Sequence, residues 1–172
     1  MRTLLIASLL LPTIVCADGG DVEPPAPPAS DCKGAQVFDE KSGKCVDAKE
    51  SGLDRDQLYT TVRQLAWAGR YHDAQNVLDA MDPHDPGRLT YMGFTHRKLG
   101  NTGLAMMFYR EAIDRDPANI TARSYMGQGF VEQGQVTKAI AQLQAIRRHG
   151  GSGTWSETSL RNAIATGATY NY

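Results

Sequence analysis

Gly69, Gly100 and Gly134 stand 31 and then 34 residues apart in a chain of 172. Each is followed five residues later by an alanine, so Ala74, Ala105 and Ala139 repeat the same two intervals. Upstream, Met92-Gly93 and Met126-Gly127 are 34 apart, as are His96 and Phe130. A period of this length marks one supersecondary unit copied along the chain. Each recurring residue has a physical task. Gly69, Gly100 and Gly134 can take the positive φ that ends a helix. The alanines are small where a second helix must cross the first. Gly93 and Gly127 fall within helical segments, where Gly costs about 1 kcal/mol relative to Ala. That cost at the same register in two copies predicts a partner helix passing close to the backbone. Asp82-Pro83 and Asp116-Pro117 then stop the second helix of the first and middle units.

The middle unit, with Leu89, Met92-Gly93, Gly100, Ala105, Tyr109, Ala112 and Asp116-Pro117, resembles the tetratricopeptide repeat family. The last unit keeps Met126-Gly127, Phe130, Gly134, Ala139 and Leu143 but lacks the closing proline; the first is shorter and matches over Trp67 to Ala74. The resemblance covers about Leu53 to Gly150. It implies an all-α fold, a right-handed superhelix of three helix pairs, with repeats near 55–85, 86–119 and 120–150. A further helix over 154–167 is expected to cap the exposed last face, since repeat arrays need a terminal cover. His149 to Gly153 break the preceding helix, Thr154-x-x-Glu157 reads as a capping box, and Trp155, Leu160, Ala163 and Ile164 form one apolar stripe closed by Gly167.

The residues ahead of the array divide into three parts. Residues 1–17 read as a secretory signal: Arg2, then a Leu-rich apolar stretch from Thr3 to Val15, too short to span a bilayer. Ala17 and Asp18 flank the expected cleavage point. Cys16 offers the alternative of a lipoprotein, against which the Val15 before it is large. Residues 18–31 are rich in Pro and Gly and read as an extended spacer. Over 32–50, short runs at Gln36–Asp39 and Lys44–Asp47 flank Glu40 to Gly43 and predict a hairpin. Cys32 and Cys45 are the two cysteines left once the signal is removed, and in an oxidising compartment they are expected to form one disulfide. The array itself occupies 51–172. The chain is therefore expected to be exported, periplasmic or secreted, with no transmembrane segment after signal removal.

Chemistry is sparse. Eighteen basic and 19 acidic residues leave no electrostatic case for nucleic acid. No nucleophile elbow, P-loop, zinc-binding HExxH or dinucleotide fingerprint is present. His84 lies between two aspartates in Asp82-Pro-His-Asp-Pro86, where a turn is the better reading than a metal site. His96 is expected to be packed, His72 to be on the surface and His149 to end a helix. Asn119-Ile-Thr121 is an N-glycosylation acceptor sequence. No enzyme activity, metal or cofactor is expected.

What remains is surface. In the tetratricopeptide family the first helices of successive pairs line a concave groove that holds a peptide. The resemblance implies a groove lined by Tyr59, Arg63, Thr90, Phe94, Arg97, Lys98, Ser124, Gln128 and Glu132, with Phe94 as an apolar anchor beside two cations. The family's carboxylate clamp uses a Lys/Asn set; Thr90 and Phe94 stand in its place, so a C-terminal carboxylate ligand is not expected. The function expected is a non-enzymatic adaptor of the cell envelope, binding a protein or peptide partner. Self-association is a second way to complete so short an array. The alternative is an envelope- or glycan-recognition module acting through the cysteine hairpin and its one aromatic, Phe38.

Overall fold

The computed structural model describes residues 31–49 and 52–170. The expected signal at 1–17, with Cys16 and the Ala17–Asp18 cleavage point, and the spacer up to Ser30 lie outside the described residues.

Strands β1 (Gln36–Asp39) and β2 (Lys44–Asp47) pair antiparallel, with Val37 opposite Val46 and Phe38 opposite Cys45. The Asp39 carboxylate accepts from the amides of Lys41 and Ser42, and Gly43 takes φ +66° to complete the turn. Cys32 and Cys45 are bonded, with their Cα atoms 5.6 Å apart. Closing a loop of this length constrains the unfolded chain by about 3 kcal/mol. Strand alternation sends Val37 inward, 1% exposed, and Phe38 outward, 45% exposed. Val37 and Ala48 join the same buried cluster as Leu58 and Val62 of the first helix. Arg70 adds a polar tie: its guanidinium donates to the Cys32 carbonyl and pairs with Asp73. The hairpin thus covers the open end of the helical array.

Among the described residues seven helices follow: α1 (Arg55–Trp67), α2 (Tyr71–Leu78), α3 (Pro86–Lys98), α4 (Thr102–Arg115), α5 (Ile120–Glu132), α6 (Val136–Arg148) and α7 (Trp155–Thr166). Two different devices set their ends. α1, α3, α5 and α7 begin at a side-chain cap, where Asp54, Asp85, Asn119 and Thr154 accept from backbone amides. α2, α4 and α6 have no such cap; each starts directly after a tight turn at Gly69, Gly100 or Gly134, with φ between +69° and +82°. There the next amide reaches back to close the preceding helix: Arg70 to Leu65, Asn101 to His96 and Gln135 to Phe130, at 2.8–2.9 Å. Each turn orders two helices at once, and the pairs α1–α2, α3–α4 and α5–α6 pack together. Ala74, Ala105 and Ala139 are fully buried at the crossings. α7 packs on α5 and α6 as α3 packs on α1 and α2, which places it as an added first helix.

Two expectations change in detail. A full capping box forms at Asp54 and Gln57 rather than at Thr154 and Glu157. The Glu157 carboxylate goes instead to the Gly153 amide and to Arg147 Nε, because Arg147 at the end of α6 offers it a charge. The paired helical glycines are also not equivalent. A Cβ on Gly93 would lie 2.5 Å from the Tyr109 ring of α4, within its own pair, whereas one on Gly127 would meet Leu160 of α7 at 2.6 Å. Gly129 also makes a close approach, to Met106 of α4. No helix among the described residues is long and apolar enough to cross a membrane.

Gly93→Ala sets a propensity gain of about 1 kcal/mol against overpacking of roughly 1–3 kcal/mol on a fully buried ring. The net outcome expected is a loss of stability of up to about 2 kcal/mol. Gly103→Ala, at an exposed position of α4 with nothing within 4 Å of its new Cβ, should be neutral or stabilising by up to about 1 kcal/mol. Urea midpoints of the two variants check this; equal shifts would contradict the close-approach account.

Candidate functional site

The first helices of successive pairs meet through a run of rings. Tyr59 of α1 sets its edge against Tyr91 of α3 at 5.5 Å, and Tyr91 and Phe94 both reach Tyr125 of α5, at 6.1 and 4.9 Å. Edge and tilted pairs of this kind add about 0.5–1.5 kcal/mol each beyond burial. Tyr59, Tyr91 and Tyr125 are themselves spaced 32 and 34 residues apart. That third periodicity is present in the sequence and identifies the seam between units.

This seam overturns one expectation. Phe94 is 0% exposed, enclosed by Tyr71, Tyr91 and Tyr125, so it is wall core rather than an accessible anchor. The two expected cations do lie beside it: the Arg97 guanidinium and the Lys98 amine each sit 5.7 Å from its ring centre. Ser124 is also enclosed. Its Oγ lies 3.1 Å from Ser159 Oγ of α7, because α7 occupies the flank of α5 that would otherwise face a groove. Thr90 is buried as well; its hydroxyl donates to the Pro86 carbonyl and accepts from Asn119 Nδ2. Asn119 spends its other amide atom capping α5. Tyr59 and Arg63 stay half-buried on α1, with Arg63 over the Trp67 ring and Arg55 over Tyr59.

The remaining expected groove residues converge. Arg97 of α3 is almost wholly buried and donates through Nη1 to Glu132 of α5. Its Nε and Nη2 and the Tyr109 hydroxyl are buried together without a hydrogen bond of ordinary geometry. Burial opposes the Arg97 charge, but the Tyr109 hydroxyl and the Glu132 carboxylate hold the guanidinium protonated. Burial pushes Tyr109 up to about 12. Lys98 is half-buried and is pushed down to about 8, by burial first and by Arg97 second, with Glu132 opposing.

The atoms that Lys98, Gln128 and Glu132 present are already engaged by the segment after α7. Lys98 Nζ donates to the Tyr170 carbonyl at 2.6 Å, and the Tyr170 amide donates to Gln128 Oε1 at 3.0 Å. The Thr169 hydroxyl donates to Glu132 Oε1 at 2.6 Å. The Tyr170 ring sets its edge on Trp155 at 5.1 Å, and its hydroxyl accepts from Asn162 Nδ2. Gln128 is 1% exposed and gives its Nε2 to Ser124, so both ends of its amide are used. Sequence reasoning placed these helix residues on one face but had no signal for the returning chain.

Outside this face, His84 is exposed in a turn in which its own amide donates to Asp82, while Asp85 holds Arg55 at 2.6 Å and caps α3. His96 stacks on Phe108 at 5.4 Å, and burial pushes its pKa down. His72 and His149 are exposed. Among the described residues no group of three or more His, Cys, Asp or Glu is placed to hold a metal ion. Comparison with known proteins gives no matching family model, and no significant match among curated proteins or solved structures.

The Lys98 shift has a measurable sign. Between about pH 8 and 10 the unfolded chain keeps Lys98 protonated while the folded chain does not, so folding releases a proton and stability rises with pH. Above pH 10 the raised Tyr109 pKa acts in the opposite direction. Urea midpoints at pH 7, 8, 9 and 10 should therefore show the wild type gaining on Lys98→Met as pH rises from 8 to 10. A pH-independent difference would contradict the assignment.

Proposed function

We propose that this chain is an exported, non-enzymatic adaptor of the cell envelope, built on a tetratricopeptide-type array, whose α3–α5 face holds an extended segment of a partner protein. The observation that carries the reading is the convergence of Lys98 and Gln128, from successive first helices, on the backbone carbonyl and amide of one residue, Tyr170. A donor and an acceptor spaced to take a backbone carbonyl and amide recognise an extended chain whatever its side chains. The repeated glycine turns, the buried crossing alanines and the ring seam support the family resemblance. The disulfide supports an oxidising compartment, in keeping with the signal-like residues 1–17. The sequence carries none of the nucleophile or phosphate-binding motifs that would direct the reading toward an enzyme.

The second reading, recognition of an envelope component or glycan through the hairpin, keeps one favouring observation, the outward ring of Phe38. Deleting the hairpin would uncover the core that Val37 and Ala48 share with α1, so Phe38→Ala is the cleaner variant.

Cross-linked capture from a native envelope extract separates the two. Lys98→Glu in the full chain should reduce recovery of the captured partner about tenfold or more, with the melting curve little changed, while Phe38→Ala should not. Loss of recovery with Phe38→Ala alone would favour the hairpin, and undiminished capture by Lys98→Glu would refute the face. Phe94 is unsuitable for this test because its removal would unfold the seam.

A further inference from the structure

Gly167 ends α7 with φ +75°, the left-handed conformation that glycine adopts without strain, and its amide closes on the Ala163 carbonyl. Thr166 then accepts from the Ala168 amide, and the chain turns back across α5 toward α3. Within two residues it engages three side chains of the face described above, from α3 and α5.

Resting on the reading of that face as a partner site, we infer that residues 168–170 are a built-in ligand: they fill the face in the resting protein, and the partner segment that displaces them is an extended stretch carrying a hydroxyl residue followed by an aromatic one. Two kinds of contact argue for this. The backbone contacts, Tyr170 amide to Gln128 and Tyr170 carbonyl to Lys98, would be made by any extended chain in this position. The side-chain contacts are selective. Glu132 Oε1 takes the Thr169 hydroxyl while also holding buried Arg97, so it favours a donor at that place and repels an acid. The Trp155 ring and the Asn162 amide together fit a phenol: the two rings meet in an edge arrangement at 5.1 Å, and the hydroxyl accepts at 3.2 Å.

The Gln128 oxygen shows what a strand supplies to the face. It is buried on a side chain that is 1% exposed, and its partner is the Tyr170 amide. That burial is measured with the strap in place, and an incoming strand can offer the same oxygen its own backbone amide, so one strand exchanges for another. The tether is only the turn from Gly167 to Tyr170, which gives the internal segment a high effective concentration. A partner in trans therefore meets an apparent affinity reduced in proportion to the small fraction of molecules with the strap open.

The test uses a fluorescein-labelled synthetic peptide, Gly-Ala-Thr-Tyr-Asn-Tyr, the sequence of residues 167–172, titrated by anisotropy. The chain ending at Gly167 should bind it at least tenfold more tightly than the full chain. A peptide with Ala in place of the Thr and the first Tyr should bind at least tenfold more weakly than the original. Because the shortened chain could lose stability, Thr169→Ala/Tyr170→Ala in the full chain serves as the second variant and should also gain at least tenfold. Equal binding by full and strap-weakened chains, or no binding by either variant with an intact melting curve, would overturn the built-in ligand. That failure is distinct from failure of the partner face, which falls only if Lys98→Glu captures its partner undiminished.

Discussion

How closely two helix backbones can approach sets every other dimension of the array. At Gly93 the Tyr109 ring lies where a side chain would stand, and the buried alanines at 74, 105 and 139 let second helices settle against first ones. With the pairs drawn in, the first helices come near enough for Tyr59, Tyr91, Phe94 and Tyr125 to form a continuous ring seam. A bulkier residue at the glycine would displace Tyr109, and with it the base on which Arg97 rests. Backbone spacing is thus linked to the chemistry of the face by two packing steps.

Arg97 is costly to bury, with two guanidinium nitrogens lacking a hydrogen bond of ordinary geometry. A nearly buried guanidinium is tolerated only when charge and hydrogen bonds replace water. Glu132 supplies the charge, the Phe94 ring supplies one face, and Tyr109 stands beside the remaining donors. The same Glu132 oxygen receives Thr169, so the cation that stiffens the wall also prepares an acceptor for a strand lying across it. Lys98, next along α3, is left half-buried with a weakened hold on its proton and a carbonyl in front of it.

Much of this was legible in the sequence because it rests on local chemistry. Gly43 and the two short runs that flank the turn place both strands, the recurring glycines place the three helix-pair turns, and the cysteine arithmetic yields the Cys32–Cys45 bond. The misses are non-local. Whether Phe94 faces out or in depends on two neighbouring helices, and Tyr91 and Tyr125 decide it. Ser124 is covered, and Gly127 finds Leu160, because α7 lies where a further repeat would begin. Val37 signals burial by alternation, yet nothing near it in sequence says that it closes the end of the array. The return of Thr169 and Tyr170 onto α5 follows from Gly167, whose stop signal was readable while the direction of the chain beyond it was not.

The chain's own backbone, at Tyr170, occupies the α3–α5 face. Residue-resolved amide hydrogen exchange of the full chain tests this directly, because one amide, that of Tyr170, reports the contact with Gln128. The account predicts that this amide exchanges at least about tenfold more slowly than a free peptide, and that Gln128→Ala releases it while α3 and α5 stay protected. A Tyr170 amide exchanging at the free-peptide rate in a chain whose α5 amides are protected would contradict it.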